Sequence, residues 1–491
     1  MPVTAYASGS PGSAAVAAGS PQSTEAAVEV LRAGGNAVDA VLAAGFVSGL
    51  SEPALASLGG GGFLLVRRPD GRSELFDFIS TLPGLEPVPG EQRVELITVQ
   101  YPSTTQVFEV GVGTVAVPGC VNGFIDAHRA EGRLPLRDVV APAARMSADG
   151  ITMDPGQAVI TRLVGEILCL TEESAAVYAP GGELISGGQT MVNPEYARTL
   201  DLVANSEVTS LASPALADPL VDLCRDAGGM VSRADVEAYA TELREPLRVE
   251  HRGATLLTNP SPSFGGGILA AALAALPDDP TRLQMVDQIE QATERRKREG
   301  VASFEQVRGT THMSVVDADG TIASMTISNG TCSGVMLPGT GIQLNNFLGE
   351  ADLHPGGRER WVPGQRVSSM MAPSILELPD GRMIALGSGG SARIRSALLT
   401  VMVELIDRGR SLRDAVDAPR VHRDEDGVVQ IESGLDSEQA AELAARFPTN
   451  VWDVQDFYFG GVNAVIRHPD GSVEAVADHR RFGCAQIVPP A

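Results

Sequence analysis

The segment that begins at Gly309 constrains this chain more than any other. Thr310-Thr311-His312-Met313-Ser314-Val315-Val316 alternates like a β-strand, Asp317-Ala318-Asp319-Gly320 supplies a hairpin turn, and Thr321 to Ser328 returns antiparallel. That return brings Ser328 back beside Thr310. If the backbone is cut between Gly309 and Thr310, the threonine gains a free α-amine next to its own hydroxyl. Such an amine titrates near ~7.7–8.0, where a general base works best, so nucleophile and base share one residue. No histidine, metal or cofactor is then needed. The same residues also suit ordinary strand filler, because threonine favours strands. The segment alone leaves both readings open.

Competing chemistries find little support. The seven histidines lack the i, i+4 spacing of a zinc helix, and His312 reads as a packed or hydrogen-bonding neighbour on the Thr310 strand. No Gly-x-Ser-x-Gly elbow occurs. Cys120, Cys169, Cys224, Cys332 and Cys484 are scattered without CxxC spacing, so they signal neither a disulfide framework nor a zinc site. The run Gly59 to Gly62 reads as a tight strand entrance rather than a phosphate loop. A net charge of −24 argues against nucleic-acid and anionic-membrane partners. No stretch of ~18 apolar residues and no secretory leader is legible, so a cytoplasmic location is expected.

Periodicity predicts helices over Ser23 to Ala33, with Gly34-Gly35 as the stop, and from an Asn36 cap through Leu50. Strands are predicted at Phe63 to Arg67 and Glu74 to Phe78. Further helices are expected over Val121 to Glu131, Leu136 to Asp149, Pro194 to Asn205, Pro214 to Asp226, Arg233 to Glu242 and Gly267 to Ala275. Gln284 to Gly300 reads as an exposed helix whose basic cluster belongs to a solvated face.

Several segments, in order, resemble the γ-glutamyltranspeptidase (glutathione hydrolase) family of N-terminal-nucleophile hydrolases. They are Ala33 to Ala40, Gly59 to Phe63, Pro118-Gly119 with Gly123-Phe124, Gly228-Gly229 with Asp235, and Pro260 to Gly267. The Thr310 segment, Gly341 to Asn346, Ser368-Ser369-Met370 with Pro373, and Gly387 to Gly390 complete the set. The resemblance implies an α+β fold, a four-layer αββα sandwich in which two self-cleaved fragments, 1–309 and 310–491, share one core and act on a small molecule. By the same resemblance, Ser328 hydrogen-bonds the nucleophile Thr310. The amides of Gly390 and Ser391 form the oxyanion site, and Ser368 and Ser369 hold a substrate carboxylate.

Departures from the pattern concern substrate choice. The family arginine that pairs the α-carboxylate of a γ-glutamyl group falls at Ile79, and an alkyl chain cannot replace a bidentate ionic contact. The glutamine and aspartate that help hold the substrate amine become Phe347 and Glu350, of which Glu350 can still take an ammonium group. Asn329-Gly330 stands where one asparagine is expected a residue later, and Ser391 replaces a glycine. The expectation is a self-processing threonine hydrolase for a more apolar acyl or carbonyl compound than glutathione, an amide or carbon–carbon hydrolase of specialised metabolism. Two alternatives stay open: a conventional γ-glutamyl hydrolase or transferase with another arginine in the clamp, and a non-catalytic binding homologue.

Overall fold

A computed structural model describes residues 5–100, 105–261, 263–298, 309–350, 353–354 and 357–490. Two seven-stranded antiparallel sheets form its centre. The first runs, edge to edge, Cys484–Val488, Ala14–Ala18, Gly309–Val316, Ile322–Gly330, Gly61–Arg67, Ser73–Asp77 and Glu242–Arg244. The second runs Tyr6–Gly9, Val473–Val476, Gly461–Arg467, Met383–Gly389, Ser374–Glu377, Ala254–Thr258 and Leu247–His251. Their facing surfaces meet in a core that includes Phe63, Leu65, Val316, Ile375, Ala385 and Val465. Helices Pro21–Arg32 and Ala37–Ser51 cover the outer face of the first sheet through Val28, Leu42 and Met313. Helices Phe264–Ala275 and Arg393–Ile406 cover the second through Leu269, Leu398 and Leu386. The layers are therefore αββα, the architecture expected from the sequence.

Local signals place the first helical layer. The Ser20 side chain accepts from Ser23 N and Pro21 opens the helix, while Asn36 and Asp39 form a reciprocal capping box on the next. That second helix, Ala37–Ser51, is apolar on nearly every side and almost wholly buried, as suits a helix with neighbours all round. The Thr310 strand is buried at every position of Gly309–Val316, because one face meets helices and the other meets the second sheet.

Two helix expectations need correction. The segment predicted to be helical to Glu242 stops at Ala238 and continues into the edge strand Glu242–Arg244. Tyr239 turns to an extended conformation there, and its hydroxyl donates to Ile79 O at 3.0 Å, a tertiary contact that overrides local propensity. Helix Arg282–Arg298 is not simply solvated: Met285, Val286, Ile289 and Ala292 are buried, and Arg282 pairs with Glu404 at 2.8 Å. The end of that predicted helix, 299–300, lies outside the described residues. No described helix is long and apolar enough to cross a membrane.

Candidate active site

Thr310 sits near the head of its strand, where the pairing with Ile322–Gly330 is irregular. Gly309 faces Gly330 and Thr311 faces Ile327, with a register shift between them. The surroundings of the Gly309–Thr310 bond are tight. A Cβ at Gly309 would lie 2.0 Å from Ala54 O and 2.6 Å from Gly330 O, so only glycine fits.

Ser328 does return beside the junction. Its hydroxyl donates to the carbonyl oxygen of Gly309 at 2.6 Å, rather than to the Thr310 hydroxyl, and accepts from Gly330 N at 3.0 Å. Ser328 is therefore hydrogen-bonded to the carbonyl of the Gly309–Thr310 peptide itself.

The glycine-rich turn follows strand Met383–Gly389 and leads into helix Arg393–Ile406. A Cβ at Gly389 would lie 2.1 Å from Thr310 O, which fixes how closely the turn approaches the threonine. Among the described residues, the N–H groups of Gly390 and Ser391 have no hydrogen-bond acceptor within the protein. Two neighbouring N–H donors without an acceptor are the kind of pair that can hold an oxyanion. Ser391 holds φ at +53°, a left-handed conformation that costs a non-glycine residue about 1 kcal/mol.

One cleft gathers Ile79, Thr310, Ser328, Phe347, Glu350, Ser368, Ser369 and Ser391, with Gly390 next in chain to Ser391. Leu353, Met370, Met371 and Ile394, none of them a candidate site residue from the sequence, complete its lining. Its volume is 30 Å3, room for about two waters. Among the described residues Glu350 is the one charged group of the lining, and its Oε1 accepts from Thr331 N at 3.2 Å. The asparagine that the family places at Gly330 has no space here, since a Cβ would lie 2.2 Å from Asn346 Oδ1 and 2.5 Å from Glu350 Oε1. The two serines are partly engaged: Ser368 donates to Leu353 O at 2.7 Å, and Ser369 accepts from Met371 N at 3.0 Å.

Among the described residues no arginine takes over at Ile79. Arg366 reaches this point but gives Nη1 to Ile79 O at 2.6 Å and Nη2 to Ala240 O at 2.7 Å, and its Nε faces Asp77 at 3.5 Å and Glu242 at 3.3 Å. His312 is no base either. Its Nδ1 bonds Thr326 Oγ1 at 2.7 Å and its Nε2 bonds Ser314 Oγ at 2.8 Å, while burial holds its pKa down to about 3.

Glu52, which no sequence motif marks, lies fully buried behind the strand. Its Oε1 accepts from Ser23 Oγ at 3.3 Å, and Oε2 faces the Thr311 hydroxyl across Gly19, where a Cβ would lie 2.2 Å from one and 2.4 Å from the other. Burial raises its pKa from the usual 4.5 to about 7, against the opposing pull of Thr311, Ser23, Ser20 and Arg481. A signal was present: Asp39 and Glu52 are the only charged residues between Ala37 and Val66.

The sign of the effect on stability follows from the raised value. Between about pH 4.5 and 7 the folded chain holds a proton that the unfolded chain has released, so stability falls as pH rises through that window. Glu52→Gln is expected to flatten this decline and to stabilise the protein at pH 8 by roughly 3 kcal/mol. Thermal melts of both proteins across pH 5–8 check this; parallel curves would refute it.

Two facing antiparallel sheets between helical layers, with a threonine at a strand head beside two free turn amides, define an N-terminal-nucleophile hydrolase. The gamma-glutamyltranspeptidase family profile matches residues 23–291 and 278–488, and the chain belongs to that family. It is 32% identical over 516 residues to the acylase ACY 1 proenzyme of Pseudomonas sp. strain SE83, covering 94% of this chain and 91% of the relative. It is 26% identical over 544 residues to the glutathione hydrolase proenzyme of Bacillus subtilis strain 168, covering 96% and 90%. The cephalosporin acylase of Bacillus halodurans superimposes with a TM-score of 0.81 at 24% identity, over 99% of this chain and 97% of that one, and so shares the fold.

Proposed function

We propose that the chain cuts itself between Gly309 and Thr310 and that fragments 1–309 and 310–491 together form an acyl hydrolase for small, apolar acyl groups. The Thr310 hydroxyl attacks the substrate carbonyl while its α-amine takes the proton. The oxyanion is held by the N–H groups of Gly390 and Ser391, the amine returns the proton to the leaving group, and water releases the acyl chain. The observation that carries the substrate assignment is the lining. Ile79, Phe347, Leu353, Met370, Met371 and Ile394 are apolar, Glu350 is acidic, and among the described residues none of the lining is a cation.

A γ-glutamyl α-carboxylate placed there would lose hydration without an ionic partner, at a cost of several kcal/mol. Glu350 tolerates a neutral or ammonium-bearing acyl chain and repels a carboxylate. An amide is the favoured bond, in keeping with a relative named as an acylase; a carbon–carbon bond next to a carbonyl would meet the same nucleophile.

The test offers the self-cleaved protein butyryl-, glutaryl- and γ-glutamyl-p-nitroanilide. Butyryl transfer is expected to have a kcat/KM at least tenfold above the other two, and Ile79→Arg to narrow the gap to γ-glutamyl. Faster turnover of the γ-glutamyl compound by the unaltered protein would instead make it a conventional γ-glutamyl hydrolase.

A further inference from the structure

Two arginines stand side by side in the turn His479–Arg481, and only the first is paired. Arg480 gives Nε to Glu432 at 2.6 Å, Nη2 to Glu432 at 2.8 Å and Nη1 to Asp478 at 3.2 Å. Arg420 beside it shares Asp478 at 2.5 Å. Arg481 is 7% exposed, yet among the described residues it makes one hydrogen bond, Nε to Phe457 O at 3.2 Å, and no ion pair. Its guanidinium lies over the Phe457 ring at 5.9 Å. Burial, reinforced by the like charge of Arg393, pulls its pKa down to about 10. Asp478 and Asp456 oppose that shift, Arg420 adds to it, and the charge of Arg481 is felt by Glu52.

A buried cation with so little compensation is costly. Its position suggests what the cost is for. A Cβ at Gly389 would lie 3.2 Å from Nη1 and 2.1 Å from Thr310 O, and one at Gly390 would lie 3.2 Å from Nη2. The stem passes beneath Gly461, whose Cβ would lie 2.6 Å from Arg481 Cδ. The guanidinium is thus packed behind the turn that carries the free amides of Gly390 and Ser391, next to the carbonyl of Thr310. The negative charge it lacks at rest is the one that develops there during acyl transfer.

We infer that Arg481 is a positioning residue for the reaction: it braces the Gly389–Ser391 turn with both amides facing the nucleophile, and its fixed charge is compensated when the oxyanion forms. This rests on the reading of that turn as the oxyanion site. Preorganised charge of this kind lowers the barrier without tightening ground-state binding, so its loss falls on kcat rather than KM.

The test uses the full-length, self-cleaved protein with p-nitrophenyl butyrate as probe and Thr310→Ala as blank. Turnover by the wild type alone establishes the nucleophile; equal rates in both would overturn that reading and this inference with it. Arg481→Gln is expected to lower kcat about tenfold or more while KM stays within about twofold. In Arg481→Lys most of kcat should return near pH 7, with an alkaline limb below that of the wild type because a buried lysine loses its charge earlier. A cleaved Arg481→Gln protein with kcat within twofold of wild type would sink the proposal. So would an Arg481→Lys limb that coincides with the wild-type limb, and that comparison decides the matter if the glutamine variant does not fold.

Discussion

Thr310→Ala is expected to yield one uncut chain with no acyl-transfer activity, where the wild type yields two fragments on denaturing electrophoresis. The methyl group cannot attack Gly309 C=O, so no C–O bond forms, the Gly309–Thr310 C–N bond survives and no α-amine is released. Losing nucleophile and base together should cost about 10⁴-fold or more in turnover. Among the described residues no other group is placed to substitute. His312 is neutral and spent on two hydroxyls, and Glu52 faces Thr311 rather than the cleft. Mass spectrometry of both proteins makes the comparison. A wild-type protein that stays whole would leave a binding homologue as the reading, and a Thr310→Ala protein that still cleaves would remove the nucleophile altogether.

Ser328→Ala should slow self-cleavage by roughly 10²–10³-fold, the usual effect of removing one donor from a developing oxyanion. The Ser328 hydroxyl donates at 2.6 Å to the oxygen that becomes negative when Thr310 attacks. Its oxygen also accepts from Gly330 N at 3.0 Å, so the alanine leaves a buried N–H without that partner as well. Ser328→Thr keeps the donor and should cleave within about tenfold of the wild type, although its methyl crowds a strand buried throughout. Following the uncut fraction over time distinguishes the cases. Equal half-lives for Ser328→Ala and wild type would show that the scissile carbonyl is activated by something else.

Much of the site was legible in residue order. The Thr310 strand, its hairpin return to Ser328 and the glycine turn all carry local signals, and a hairpin converts a sequence separation into a contact. Ile79 and Phe347 were readable as departures because they replace charged or polar groups by apolar ones. Other features depended on the tertiary arrangement. Tyr239 breaks a helical pattern to reach Ile79 O, and Met370 and Met371 line the cleft beside Ser368 and Ser369. Nothing in Asp478-His479-Arg480-Arg481 tells that one arginine is paired and the next is not; that depends on where Glu432 and the Gly389 turn lie. Ser328 was legible as a neighbour of Thr310, but its acceptor, the carbonyl of Gly309, was not.

Each central sheet contains strands from both sides of the Gly309–Thr310 bond: 14–18 lies between 484–488 and 309–316, and 374–377 bonds to 254–258. If that bond is severed, the two polypeptides stay interleaved like the fingers of clasped hands, and pulling them apart means unzipping both sheets. Dilution therefore has no route to separate them short of denaturation. A gene divided at this junction would require its products to meet while both are still unstructured.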